Sequence, residues 1–368
     1  MADSKEDRCF ICFEGGAGLT QSGCACRGPG GLAHPYCRIE AAKTLVKRKR
    51  QKKWWWTCQT CEEEFTGAMC IELADAWWSQ VRERAEEDRE RLSAANILAL
   101  SLDSQGKYAE AEEMLREVLA VRKRVLGAEH PETLASASNL ATSLADQGKY
   151  AEAEEMQREV LAVQKRVQGA EHPSTLTSMC NIASSLSGQG KYTEAEEMES
   201  EVLVVEKRVQ GAEHPSTLKT ASNLASSLYH LEKYKKAEET QREVLAAQQR
   251  VLGPGHPDTL KTVHDMANSI SAQGRHAEAE EMLRAMLVVE KRVLGAEHPD
   301  TLTTASNLAS TLSSQGKHAE AEEMQREVLA VRKRVLGAEH PHTLTTASRL
   351  ARSLSVQGKH AEAEEMGR

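Results

Sequence analysis

A chain of 368 residues, 40% hydrophobic and 28% charged, has room for two or three domains with packed cores, and a net charge of −8 is too mild for a protein that binds nucleic acid as a whole. No window approaches the 18 consecutive apolar residues of a membrane span, and Met1 to Arg8 is polar and mixed in charge, so a soluble cytoplasmic protein in a reducing compartment is expected. Aromatics make up only 4% of the chain and three of its five tryptophans are adjacent, Trp54, Trp55 and Trp56, which leaves Leu, Val, Ala and Met to pack the rest.

Seven of the nine cysteines and one histidine fall between Cys9 and Cys61 as four short pairs: Cys9-x2-Cys12, Cys24-x-Cys26, His34-x2-Cys37 and Cys58-x2-Cys61. Thiolates a few residues apart reach one zinc ion from a tight turn, and a second pair closes the tetrahedron. The alternating combination puts Cys9, Cys12, His34 and Cys37 on one zinc and Cys24, Cys26, Cys58 and Cys61 on the other. Both sites are then full, so the two zinc ions are expected to be structural, with no position open for a substrate.

These residues resemble the RING-CH (variant RING) finger of ubiquitin ligases, through the cysteine at the fourth ligand, the histidine at the fifth, the single residue inside Cys24-x-Cys26 and the long gap before Cys58. A PHD finger, which reads histone tails, has the same ligand order and would share Trp56 two residues before Cys58. The RING-CH resemblance implies a ligase that performs no covalent chemistry itself and holds a ubiquitin-conjugating enzyme through Ile11 and a tryptophan among Trp54, Trp55 and Trp56. Glu62 stands just after the last ligand, where active RING fingers often carry a basic residue.

Between the sixth and seventh ligands Lys47, Arg48, Lys49, Arg50, Lys52 and Lys53 form a basic run that reads either as a nuclear-localisation or phosphate-contacting patch or as a solvated helix face. Beyond Cys61, the residues Ile71, Leu73, Ala74, Trp77 and Trp78 fall on one helical stripe that is expected to pack on the finger, with Cys70 as a packed thiol beside it. From Arg82 to Arg91 nearly every residue is charged, which predicts an exposed helical connector.

From Leu92 onward the chain repeats itself. Gly106, Gly148, Gly190, Gly274, Gly316 and Gly358 recur in steps of 42 or its multiple, with Glu232 in the one missing slot, and His-Pro recurs at the same period from His130 to His340. A fixed period of this length signals stacked helical units that cannot bury their apolar faces alone. In one unit, Pro131 suits a first helical position, Leu134, Ala137, Leu140, Ala141 and Leu144 line helix A, and Gly148 ends it. Helix B, from about Ala151 to Val167, is expected to bury Ala153, Met156, Val160, Leu161, Val163 and Val167.

Asn139, Leu140, Ala141, Leu144, Gly148, Tyr150 and Ala153 resemble the tetratricopeptide pattern, and the 42-residue length with Leu-Gly-Ala-Glu-His-Pro after helix B is similar to kinesin light chains. The expected fold is mainly all-α: a right-handed solenoid over 92–368 of about seven helix pairs, the last truncated, a connector over 67–91 and a cross-braced two-zinc finger over 1–66. The family's peptide groove implies backbone-reading amides at Asn139, Asn181, Asn223 and Asn307, with Ile97, Asp265 and Arg349 in the equivalent slots. Lys219 and Lys261 near the middle favour an acidic ligand. The six His-Pro histidines read as turn or cap residues, and the Glu-Ala-Glu-Glu elements as the outer face of helix B, so no catalytic set is expected.

Three functions fit: a ligase whose solenoid recruits a protein target, a non-enzymatic adaptor with a PHD-like or structural finger, and a scaffold whose finger caps the solenoid. The last predicts a broad apolar interface joining Trp77 and Trp78 to the first repeat.

Overall fold

The computed structural model describes residues 11, 19–21, 32–49, 52–58, 65 and 67–366. Two compact units divide the chain, Met1–Gln189 and Gly190–Arg368. Among the described residues of the first, β1 (Thr20–Gln21) pairs antiparallel with β2 (Leu32–Ala33), and α1 (Pro35–Lys49), a 3-10 helix (Lys52–Trp55) and α2 (Gly67–Val81) follow. The repeats of this unit are α3 (Arg89–Asp103), α4 (Tyr108–Leu126), α5 (Pro131–Asp146), α6 (Tyr150–Val167) and α7 (Pro173–Gly188). The second unit holds α8 (Tyr192–Val209), α9 (Pro215–His230), α10 (Tyr234–Val251), α11 (Pro257–Ala272), α12 (His276–Val293), α13 (Pro299–Ser314), α14 (His318–Val335), α15 (Pro341–Val356) and α16 (His360–Met366). From α3 onward the helices alternate A and B in the expected 42-residue frame.

Each A helix from α5 to α15 begins in the same way. The histidine of His-Pro is the N-cap: its Nδ1 accepts the backbone N–H two residues on, as His130 does from Glu132 at 3.2 Å and His298 from Asp300 at 3.2 Å. Proline at the next position starts the helix without stranding a donor. The hairpin from A to B turns through a left-handed residue, Gly148 at φ +78°. In the repeat that lacks this glycine, Glu232 takes the same conformation at φ +58°, the one non-glycine to do so among the described residues.

Leucine and alanine interlock between the helices. Leu140 and Leu144 meet Leu115 and Ala153 in the first unit, and Leu308 and Leu312 meet Leu283 and Ala321 in the second. Helix B departs from its expected stripe. In α6 the buried positions are Ala153, Gln157, Val160 and Gln164, while Val167 is 54% exposed. Gln157 turns inward because its amide donates to the Ser138 carbonyl at 3.3 Å.

The Glu-Ala-Glu-Glu elements also do more than face outward. Glu112 is nearly enclosed and takes Lys149 at 2.7 Å and Gln147 at 2.9 Å from the next hairpin, and Glu280 takes Lys317 at 2.6 Å and Gln315 at 2.7 Å. These lysines, with the neighbouring glutamine and arginine, pull both carboxyls down to about 2. One glutamate per repeat is thus a staple to its neighbour.

The charged segment after α2 is not a helical connector. Arg82 to Asp88 is turn, and α3 starts at Arg89 because the Asp88 side chain accepts the N–H groups of Glu90 and Arg91, each at 2.9 Å. The turn folds α2 back onto α3. Trp77 packs with Met69, Leu73 and Ala94 and donates Nε1–H to Glu90 at 3.3 Å, while Trp78 packs with Leu92, Ala95, Val118 and Val121. This is the apolar interface that the capping scaffold predicts. Cys70 faces it, its Sγ 3.7 Å from Ser101 Oγ. Among the described residues no helix is long and apolar enough to cross a membrane.

Candidate functional site: clefts between A helices of the second unit

Residues four apart on a helix share a face, so α9 sets Lys219 beside Asn223 and α11 sets Lys261 beside Asp265. The two helices wall a cleft of about 560 Å³ lined by all four of these residues. Its floor comes from the last turns of α10: Gln248, Val251 and Leu252. A second cleft of about 620 Å³ lies between α11 and α13, lined by Lys261 and Asp265 together with His264, Asp300, Thr303 and Thr304. Met286, Glu290 and Leu294 of α12 form its floor. Lys261 and Asp265 therefore serve both clefts.

Each floor holds one buried polar residue: Gln248 is 5% exposed and Glu290 1%. The Thr304 hydroxyl from the next A helix bonds Glu290, yet burial still raises its carboxyl above the ordinary range. Burial raises Asp265 as well and lowers His264, whose Nε2 accepts from the Asn307 amide at 2.7 Å. The same 42-residue position holds Arg332 in α14, where the guanidinium donates to Thr346 Oγ1 at 2.6 Å, Thr303 Oγ1 at 3.1 Å and the His342 carbonyl at 3.1 Å. In the first unit Arg122 is bound alike, to Ser136 Oγ at 2.7 Å and the Glu132 carbonyl at 3.1 Å.

The structure brings Lys219, Asn223 and Lys261 together and places the other predicted amides elsewhere. Asn307 lines a smaller hollow of about 240 Å³ with Tyr229, Asn268 and Arg349, and accepts from Arg349 at 3.2 Å. Asn139 belongs to the first unit and donates to Asn96 at 3.2 Å, and Asn181 is half-buried on α7 of the same unit. Sequence reasoning missed Gln248 and Glu290. Their signal was a position that varies from repeat to repeat in helix B, Arg122, Gln164, Glu206, Gln248, Glu290 and Arg332.

Of the eight expected zinc ligands, His34, Cys37 and Cys58 are described; Cys9, Cys12, Cys24, Cys26 and Cys61 lie outside the described residues. Cys37 Sγ stands 3.8 Å from His34 Nδ1, and Cys58 is buried in the core with Phe65 and Trp55. The tryptophans expected to meet a conjugating enzyme turn inward: Trp54 is 3% and Trp55 2% exposed, and Trp55 and Trp56 stack on Trp77 at 6.3 and 5.3 Å between ring centres. Ile11 packs partly buried against the same core. Lys47 and Arg48 of the basic run lie exposed at the end of α1.

The tetratricopeptide-repeat pattern matches residues 90–166, 132–204 and 216–287, and a second tetratricopeptide-repeat pattern matches 301–342. A single-substitution form of a Podosopora anserina protein of kinesin-light-chain type, with nearly identical TPR-like repeats, is 31% identical with a TM-score of 0.50, over 55% of this chain and 95% of that one. BtubC (BKLC) from P. vanneervenii is 21% identical with a TM-score of 0.53, over 64% of this chain and 95% of that one. The apo quorum sensor NprR from B. thuringiensis is 15% identical with a TM-score of 0.61, over 90% and 85%. These last two share the fold. No curated protein matches the chain.

Proposed function

The chain belongs to the tetratricopeptide-repeat family, with repeats of kinesin-light-chain type, and from that premise we propose that it is a non-enzymatic protein-interaction adaptor that holds an extended segment of a target protein. One observation carries this reading: two adjoining clefts on neighbouring A helices, walled by Lys219, Asn223 and Lys261, each with one buried polar group on its floor. An amide such as Asn223 can donate to and accept from a peptide backbone, and the clefts on either side of α11 suit side chains pointing down from that backbone. Panning a random twelve-residue peptide display library on the full chain is expected to enrich binders whose affinity falls about tenfold on Asn223→Ala, the scale of one or two lost hydrogen bonds. A library that enriches nothing overturns the adaptor.

The N-terminal module caps the first repeat in this proposal and holds its shape with two zinc ions. Support for zinc comes from the ligand pair. A tetrahedral ion with Zn–S about 2.3 Å and Zn–N about 2.0 Å sets its donors roughly 3.5 Å apart, near the 3.8 Å between Cys37 Sγ and His34 Nδ1. The purified protein is expected to carry two zinc ions per chain and Cys58→Ala fewer, read by elemental analysis; a parent without zinc removes the finger. Trp54 and Trp55, packed away from solvent, weigh against the ubiquitin-conjugating enzyme as a partner. Self-ubiquitination by the parent that disappears in Cys58→Ala would replace the adaptor with the RING-CH ligase.

A further inference from the structure

The floor of the α11–α13 cleft holds a buried carboxyl with one oxygen unanswered. Glu290 is 1% exposed and its Oε2 has no hydrogen-bond partner, although the Thr304 hydroxyl bonds the same carboxyl. Buried carboxylate oxygens are costly to leave unpaired, and in native folds such an atom calls for an explanation. The equivalent Arg332 makes three hydrogen bonds to its own surroundings, so the position can be satisfied internally when the residue suits it.

Charge around Glu290 is mostly acidic. Asp258, Asp265 and Asp300 line the same cleft, against a single lysine, Lys261. The two nearby histidines are engaged as acceptors: His298 Nδ1 takes the Asp300 N–H at 3.2 Å and His264 Nε2 takes the Asn307 amide. Leu260, Met286 and Leu294 supply apolar surface in the same cleft. A long methylene stem ending in a cation fits both surfaces, since lysine and arginine bury their stems along apolar groups and carry the charge at the tip.

We propose that the α11–α13 cleft receives a lysine or arginine side chain of the bound segment, with its head paired to Glu290 and its stem along Met286 and Leu294. This rests on the peptide-binding reading above and refines it. The neighbouring α9–α11 cleft, with Lys219 on its wall and Gln248 on its floor, presents no buried carboxylate on that floor. This cleft thus reads a basic residue, and the acidic ligand expected from Lys219 and Lys261 does not extend into it.

Met286 provides the readout. With methionine methyl groups labelled with carbon-13 in the full chain, Nα-acetyl-arginine amide or Nα-acetyl-lysine amide is expected to move the Met286 resonance in a saturable titration. Nα-acetyl-citrulline amide, which keeps the stem and loses the charge, and Nα-acetyl-glutamate amide are expected to leave it still. Glu290→Gln installs the residue that stands at Gln248 one repeat earlier, so the fold has a precedent for it. It is expected to raise the titration midpoint at least tenfold. Equal response to arginine and citrulline, a response to glutamate, or no effect of Glu290→Gln overturns the cation site. Peptides enriched from the library with a still Met286 discard this site and leave the adaptor. A responding Met286 with no enrichment discards the adaptor and leaves a cation site.

Discussion

Trp77→Ala is expected to remove about 3–5 kcal/mol from the packing of the N-terminal module onto the first repeat. Trp77 is 1% exposed, lies against both Trp55 and Trp56, and shares a core with Met69, Leu73 and Ala94. Truncation opens a cavity at that junction and removes the indole N–H that Glu90 accepts at 3.3 Å, while Arg84 at 2.6 Å still holds the other oxygen. Repeat arrays are stabilised by nearest-neighbour interfaces, so the loss stays local. Amide hydrogen exchange checks it: protection should collapse in α2 and fall in α3, while α13 exchanges as in the parent. Unchanged protection of α2 in the variant would mean that the tryptophan cluster does not carry the cap.

Glu199→Gln is expected to stabilise the second unit by up to roughly 3 kcal/mol at pH 8 and by almost nothing at pH 4.5. Glu199 lies on α8 with 1% exposure, and burial pushes its carboxyl up to about 7 even though the Ser227 hydroxyl bonds it. A carboxyl raised in the folded state favours folding while it keeps its proton. That contribution is fully present below the unfolded value of about 4.5 and is lost as pH rises through about 7. Glutamine is the residue at the equivalent positions Gln157 and Gln241, so the variant keeps the shape and drops the titration. The staples Glu112 and Glu280 act in a separate window. Lysine pairing lowers their carboxyls to about 2, so what they contribute is present above about 4.5 and lost only as pH falls through about 2. Urea unfolding of parent and variant at pH 4.5 and pH 8 decides the matter. A difference between parent and variant that is the same at both values would show that the Glu199 carboxyl is solvated.

Much of this arrangement is legible along the chain because it depends on residues close in sequence. The capping role of His130 and its five counterparts needs only the next two residues, and the hairpin glycines need only their own backbone angle. The stripe Ile71, Leu73, Trp77 announced α2 by its period alone. What covers such a stripe is another matter. Arg82 to Arg91 reads as an exposed helix from its charges, and becomes a turn because Asp88 caps α3 and Glu90 gathers Trp77 and Arg84.

The clefts divide in the same way. Asn223, Lys219 and Lys261 could be picked from helix A because residues at four-residue spacing share a face whatever the neighbours do. Gln248 and Glu290 could not. A polar residue near the end of helix B reads as solvated, and its burial depends on the hydroxyl that the following A helix supplies, as Thr304 does for Glu290. By itself the sequence determined the 42-residue period, the helix pairs, their caps and the tetratricopeptide family, since these rest on local backbone preference and on which side chains share one helix face. Only the tertiary structure decided which polar groups face inward, which carboxylates are stapled or left unpaired, and where α2 docks, because each is a balance between desolvation and a partner that the chain brings in from the next helix.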